Sequence, residues 1–140
     1  MNSIKNSVSC VDEQDGTAQL DADIAVLTRK DGVITSCYID SLQAKVAFDA
    51  TGTITTDLAA PVATKNELGE NYGMVAWGGA IAEWNEQAAS FAKYVTNKTA
   101  ADVAGIAIDE ATKPAADSDL ASTVTISVGG FQALIAKAMQ

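Results

Sequence analysis

Residues 119–139 read DLASTVTISVGGFQALIAKAM and join an acidic residue, four hydroxyl side chains and an apolar-periodic helix. The apolar side chains of that helix share one face and are Val128, Phe131, Leu134, Ile135 and Ala138. We predict a helix over Val128–Met139 with Ser127 as its N-cap, which leaves free N–H groups and a positive dipole end beside the hydroxyls. Such a place suits a phosphate. The alternation of Thr and Val before it is also typical of an ordinary half-buried strand.

Part of this stretch resembles the signature of FMN-binding domains, D-x-x-[ST]-G-A-T-x-[ST]. The residues that fit without a gap are Asp119, Ser122, Thr125 and Ser127. FMN-binding domains are small extracytoplasmic modules of redox-driven ion pumps and bacterial surface proteins. The resemblance implies that Thr125 can carry the flavin through a phosphoester bond that a separate transferase makes. It also implies that Asp119 helps this transferase to recognise its target. Thr123 and Val124 replace the Gly and Ala of the pattern and add bulk there.

The resemblance also implies a wider flavin site. Its hydrogen-bonding side chains would be those of Ser122, Thr123 and Ser127, with the backbone amides around Val128 and Gly129 completing a phosphate cradle. The loop Thr64–Tyr72 would cover the ring, and Tyr72 could stack on it. Leu68 and Gly69, preceded by Thr64, are similar to the T-x-G-L-G segment of the family, although one residue out of register. A loop leading into a helix is the alternative reading of the same residues.

Length and composition limit the function. A chain of 140 residues and 14.4 kDa is the size of one domain, which we assign to residues 1–140 with a core over roughly 18–139. The net charge of −9 argues against nucleic acid as a partner and against anionic membranes. The absence of histidine excludes Ser-His-Asp and Cys-His nucleophile systems and most catalytic zinc sites.

The remaining polar features favour an electron carrier or a binding module over a hydrolase. Cys10 and Cys37 are too far apart for a C-x-x-C pair, and they could be free or bridged. The acidic run DEQDG at residues 12–16 lacks the spacing of an EF-hand calcium loop. No apolar run reaches the length of a membrane span, and Met1–Ser9 has no apolar h-region. If the protein is exported, we expect its signal to lie outside this chain.

The first third of the chain predicts antiparallel β-structure. Apolar residues alternate with mostly polar ones from Ala18 to Leu27, as in a strand with one face on the core. Asp31-Gly32 predicts a tight turn into a second strand over Val33–Ile39. Further short strands are predicted at Ala44–Phe48 and Thr53–Thr56, with a turn over Asp49–Gly52 between them.

The rest of the chain predicts mainly helices. One long helix is expected over Met74–Asn97, with a buried stripe of Met74, Trp77, Ile81, Trp84, Ala88, Phe91 and Val95. Gly78-Gly79 indicates a bend in it or a close backbone approach. Thr99 is expected to cap a short helix that ends at Gly105, followed by a strand at Ile106–Ile108 and a loop over Asp109–Ser118.

These elements predict an α+β fold, an antiparallel sheet of hairpins covered by one long helix and a C-terminal helix, in the order found in FMN-binding domains. Two functions remain open. The first is an extracytoplasmic module that binds FMN near Asp119–Ser127 for electron transfer to a redox partner protein. The second is a non-catalytic cell-surface binding or spacer domain that keeps the fold without flavin.

Overall fold

A three-stranded antiparallel sheet forms the first part of the protein. The computed structural model describes residues 2–11 and 13–140. Its strands are β1 (Asn2–Val8), β2 (Gly16–Lys30) and β3 (Val33–Phe48), in the order β1-β2-β3. The predicted hairpin is confirmed, and its two-residue turn has positive φ at both Asp31 (53°) and Gly32 (79°). This is the primed turn geometry that an Asp-Gly pair favours, because it matches the twist of the strands.

The other strands differ from the prediction. Ala44–Phe48 is the end of β3 and not a separate strand, while the segment Thr53–Thr56 contributes only a bridge between Ile54 and Phe48. The turn before it is confirmed, since one carboxylate oxygen of Asp49 accepts from the amides of Thr51 (2.8 Å) and Thr53 (2.9 Å). β1 was not predicted, because its sequence NSIKNSV has no clear alternation of apolar residues.

Five α-helices follow the sheet, as expected of a mixed α+β protein. They are α1 (Lys65–Leu68), α2 (Met74–Gly78), α3 (Trp84–Val95), α4 (Ala100–Ala104) and α5 (Gly129–Ala138), with 3₁₀ turns at Gly69–Tyr72 and Asp119–Ser122. Helix α3 packs on β3 and α5 packs on β2. The centre of the core is a cluster of aromatic rings. The ring centre of Phe131 lies 5.9 Å from that of Trp84 and 5.6 Å from that of Phe91. None of the helices in the described ranges is long and apolar enough to cross a membrane.

The single long helix Met74–Asn97 was a wrong prediction. Helix α2 ends at Gly78, and the next residue, Gly79, has a left-handed φ of 61° and an amide that donates to the carbonyl of Val75. The chain then turns, and α3 begins directly after Glu83. A Cβ on Gly78 would meet no atom within 4 Å, so the glycine pair serves a bend and not a close approach.

The break in the helix also changes the predicted buried stripe. Trp84, Ala88, Phe91 and Val95 are buried as predicted. Trp77 and Ile81 lie before α3 and are 84% and 58% exposed, so their assignment to the core was wrong. Two polar residues that the pattern placed outside the stripe, Glu83 and Gln87, are buried instead.

The sheet buries the side opposite to the one its alternation suggests. Ala25, Leu27, Cys37 and Ile39 face the helices. The more regular apolar set on β2, from Ala18 to Val26, lies on the outer side, where Ile24 and Val26 are 55% and 57% exposed. Alternation shows that one face of a strand is apolar, but the helices decide which face is covered.

The smaller elements were predicted with mixed success. Thr99 caps α4 as expected, in a capping box in which the Asp102 carboxylate accepts from the Thr99 amide at 2.8 Å. Two hydrogen bonds hold the pKa of Asp102 below its usual value. The larger effect comes from the Thr99 amide and the smaller one from the Thr99 hydroxyl. Ile106–Ile108 is not a strand and makes one bridge, between Ile108 and Pro114. The predicted loop Thr64–Tyr72 contains α1 and a 3₁₀ turn.

Candidate functional site

The segment Asp119–Ser127 is a 3₁₀ turn followed by irregular chain, and not a strand. Three of its hydroxyls donate to nearby backbone carbonyls. Ser122 bonds to Asp119 (2.7 Å), Thr123 to Leu120 (3.4 Å) and Ser127 to Ala111 (2.8 Å). The side chains predicted to hold a phosphate therefore stabilise the backbone, locally for Ser122 and Thr123 and between two segments for Ser127.

The start of α5 does not form the predicted cradle. The helix begins at Gly129, with Val128 and not Ser127 at the N-cap position and without a side-chain cap. The amides of Val128 and Gly129 both donate to the carbonyl of Thr112, at 2.7 and 3.3 Å. A Cβ on Gly129 would lie 2.9 Å from the Thr112 Cβ, so the two segments are in close contact. The residues present do not fit a flavin phosphate at this helix end.

Thr125 is held by a residue that the sequence did not reveal. The Oε1 atom of Gln87 accepts from the amides of Thr125 (2.8 Å) and Ile126 (3.2 Å) and lies 3.2 Å from the Thr125 hydroxyl. Its Nε2 donates to the carbonyl of Ala82 at 2.8 Å. Gln87 is fully buried, and the only sequence signal for it is a glutamine next to the apolar stripe of α3. Val124 is also fully buried, so this departure from the family pattern fills the core.

The predicted site residues do not share one cavity. Asp119, Ser122 and Thr123 line a cleft with Lys93, whereas Thr125 lines a separate cleft with Lys113. Tyr72, Leu68 and Gly69 line neither of these clefts, and the Tyr72 hydroxyl donates to Gln43 at 3.0 Å. The amine of Lys65 lies 5.0 Å from the ring centres of both Tyr72 and Trp84, a cation–π arrangement that occupies one face of the Tyr72 ring.

A different cavity lies between β3 and α3, and we call it the β3–α3 groove. Its volume is about 330 Å³, near the lower end of ligand pockets. On one side it meets five consecutive strand residues, Thr35–Ile39, and on the other a single face of α3. Consecutive side chains of a strand point to opposite faces, so a cavity that meets all five lies along the edge of the strand and reaches its backbone. The remaining lining residues are Asn66, Asn85, Ala89, Ala92, Lys93 and Thr96.

The strand edge in the groove is open between two occupied positions. At one end, the amide and carbonyl of Ile34 bond to Lys98 (2.9 Å) and Asn97 (2.8 Å). At the other end, the carbonyl of Ile39 accepts from the side chain of Asn66 at 2.9 Å. Backbone groups two residues apart point to the same side of a strand, so the N–H and C=O of Cys37 also face the groove. Outside the sheet ladder, no described backbone hydrogen bond involves Cys37.

The groove combines an unsatisfied acceptor with one positive charge. The Oδ1 atom of Asn85 is buried and has no hydrogen-bond partner among the described residues. Lys93 is the only charged residue of the lining, and no ion pair of its amine occurs within residues 2–11 and 13–140. Burial raises the pKa of the Cys37 thiol, which therefore stays protonated at neutral pH. The groove is suited to a ligand that brings a hydrogen-bond donor and an anionic group.

Comparison with known proteins gave no relative, since no protein-family model, curated protein or solved structure matches the chain. Cys10 and Cys37 are both free thiols. Among the described residues, no group of three or more cysteine, aspartate or glutamate side chains is placed to hold a metal ion. The site must therefore be interpreted from its own geometry.

Proposed function

We propose that this protein is a non-catalytic binding module that holds an extended peptide segment in the β3–α3 groove. The observation that carries the proposal is the open edge of β3 at Cys37, which faces α3 across a cavity containing an unpaired buried oxygen of Asn85. A groove between a strand edge and a helix is the geometry in which peptides add as an extra strand. The resemblance to extracytoplasmic modules supports a bacterial cell-surface setting.

Each part of the groove has a role in this proposal. The amide and carbonyl of Cys37 pair with one residue of the peptide, as in an antiparallel ladder. The oxygen of Asn85 accepts a hydrogen bond from a peptide N–H or a side-chain donor, which removes the cost of leaving it buried and unpaired. Ala89 and Ala92 leave room for a small side chain, and Lys93 pairs with a carboxylate.

Titration with a library of blocked tetrapeptides tests the proposal. We expect peptides with an Asp or Glu residue to shift the amide NMR signals of Cys37 and Tyr38 in uniformly ¹⁵N-labelled protein. Lys93→Gln should weaken the tightest peptide about fivefold, as expected of an exposed ion pair worth about 1 kcal/mol. N-methylation of the peptide residue that pairs with Cys37 should remove binding, because it deletes the backbone donor.

Two variants provide the controls. Ala89→Trp places a large ring in the groove and should prevent binding, while Lys113→Gln removes an exposed lysine elsewhere and should leave the affinity unchanged. If no peptide of the library shifts the amide NMR signals of Cys37 and Tyr38, the peptide-binding function is ruled out. If peptide still shifts these NMR signals in the Ala89→Trp variant, the peptide binds at a surface other than the groove.

Flavin carriage through Thr125 is the second candidate function. It is favoured by the exposure of Thr125, whose hydroxyl is not turned to a backbone carbonyl as those of its neighbours are. For this candidate function, the resemblance implies a flavin transferase and a redox partner protein. Its test is the visible spectrum of desalted protein after incubation with FMN, and after incubation with a matching transferase and its flavin substrate. Colour that disappears in Thr125→Val would support this function, and colourless protein in both incubations would contradict it.

A further inference from the structure

The outer face of the sheet is apolar, and the described helices cover it only at one corner, where Asn66 of α1 contacts Asp40 and Tyr38. Its members are the cross-strand pairs Ala18–Val46, Leu20–Ala44, Ala22–Leu42, Ile24–Asp40 and Val26–Tyr38. Four of these side chains are at least 40% exposed, namely Leu20, Ile24, Val26 and Tyr38. We call this set the outer sheet face. The largest contiguous apolar patch on a protein surface is often a contact site.

The outer sheet face has a depression beside a projecting side chain. Small Ala22 stands between larger neighbours, and a depression of about 500 Å³ is lined by Ala22, Ile24 and Leu42 together with Asp23, Asp40, Ser41 and Thr64. Ile24 stands beside this depression and is 55% exposed. A two-fold axis through the face would put Ile24 of each copy against Ala22 of the other, as an isologous contact requires.

Charge makes a second copy the occupant that this face fits. The protein has a net charge of −9, so two copies repel each other over most of their surface. Among the ten residues that define the outer sheet face the only carboxylate is that of Asp40, which is 8% exposed and accepts hydrogen bonds from the amides of Ser41 (2.8 Å) and Asn66 (3.2 Å). Two such faces can therefore meet without bringing exposed carboxylates together.

We propose that the protein self-associates through the outer sheet face to form a weak two-fold dimer. From Ala18 to Val26 the face is about 27 Å long at the rise of a strand. Two strands of that length provide less than the roughly 800 Å² per partner of a standard stable interface. The dimer should therefore form in a concentration-dependent way. Salt should strengthen it, because screening removes the repulsion between copies while the apolar contact persists.

Sedimentation equilibrium at several protein and salt concentrations tests the dimer. We expect the average mass to rise from 14.4 kDa towards twice that value as protein and salt increase. Ile24→Lys should raise the dimer dissociation constant by about tenfold or more, because each new charge would be buried without a partner against the apolar Ala22 of the other copy. Leu58→Lys is the matched control, since Leu58 is 68% exposed in a loop outside the outer sheet face.

The outcomes separate this proposal from the peptide function. A chain that stays monomeric at high protein and salt concentration would overturn it, as would association that weakens with salt or responds equally to Leu58→Lys. Circular dichroism of the Ile24→Lys variant confirms that a loss of dimer is not a loss of fold. Ile24 does not line the β3–α3 groove, so peptide binding should persist in this variant whether or not the dimer exists.

Discussion

Replacing Gln87 with methionine is expected to lower the free energy of unfolding by about 3 kcal/mol and the Tm by about 10 °C. Methionine has nearly the same length and volume, so the change removes hydrogen bonds without leaving a large cavity. The amides of Thr125 and Ile126 lose their acceptor, and the carbonyl of Ala82 loses a donor. Unpaired backbone groups at a buried site are costly because water cannot replace the lost partner.

Chemical denaturation of the two proteins measures this loss. Gln132→Met is the matched control, because the Gln132 side chain donates only to the carbonyls of Val103 (2.9 Å) and Ile106 (3.1 Å). Carbonyl groups tolerate a missing partner better than amides do, so its effect should be clearly smaller. Equal losses in the two variants would show that Gln87 is not the element that fixes the segment around Thr125.

The features predicted correctly from sequence depend on residues close together in the chain. Asp31-Gly32 between β-forming residues is sufficient for the hairpin, and Thr99 with Asp102 is sufficient for the start of α4. The α+β class followed from the same local signals. Such features are predictable because each is stabilised by contacts within a few residues.

The errors arise where distant segments decide the outcome. The apolar spacing of residues 74–95 continues across Gly78-Gly79, so the pattern alone joined α2 to α3. The hydroxyls of Ser122 and Ser127 matched a ligand signature, but Ser122 donates to the carbonyl of Asp119 in the folded turn and Ser127 donates to the carbonyl of Ala111 in a distant segment. Flavin binding at this segment stays a prediction, although the predicted phosphate cradle does not form at the start of α5.

The β3–α3 groove was not predictable for the same reason. Cys37 belongs to the hairpin, whereas Asn85 and Lys93 are on a helix that begins far along the chain. None of these residues belongs to a recognisable motif, and Lys93 has the spacing of an ordinary solvent-facing lysine. The packing of α3 against β3 brings the three together, and packing of this kind has no signature in a single sequence.

Replacing Glu83 with alanine is expected to cost about 3 kcal/mol and to release α2 from the protein. Glu83 is 5% exposed, and its two carboxylate oxygens accept from the amides of Met74 (2.9 Å) and Val75 (3.0 Å). Hydrogen bonds to a charged acceptor are worth more than neutral ones, and these two connect the first turn of α2 to the start of α3. A helix of five residues cannot persist without such an anchor.

Hydrogen–deuterium exchange locates this loss as well as measuring it. In Glu83→Ala the segment around α2 should exchange fastest, and the Trp77 ring, which packs over the backbone of Gly73, should lose that contact. Glu83→Gln retains one acceptor oxygen and should cost about half as much. Glu86→Ala is the control on the same helix turn, since Glu86 is exposed and bonds only to the amide of Glu83. If α2 remains protected in Glu83→Ala, the turn at Gly79 and the contact between Gly73 and Trp77 are sufficient to hold the helix, and the buried carboxylate must be retained for another reason.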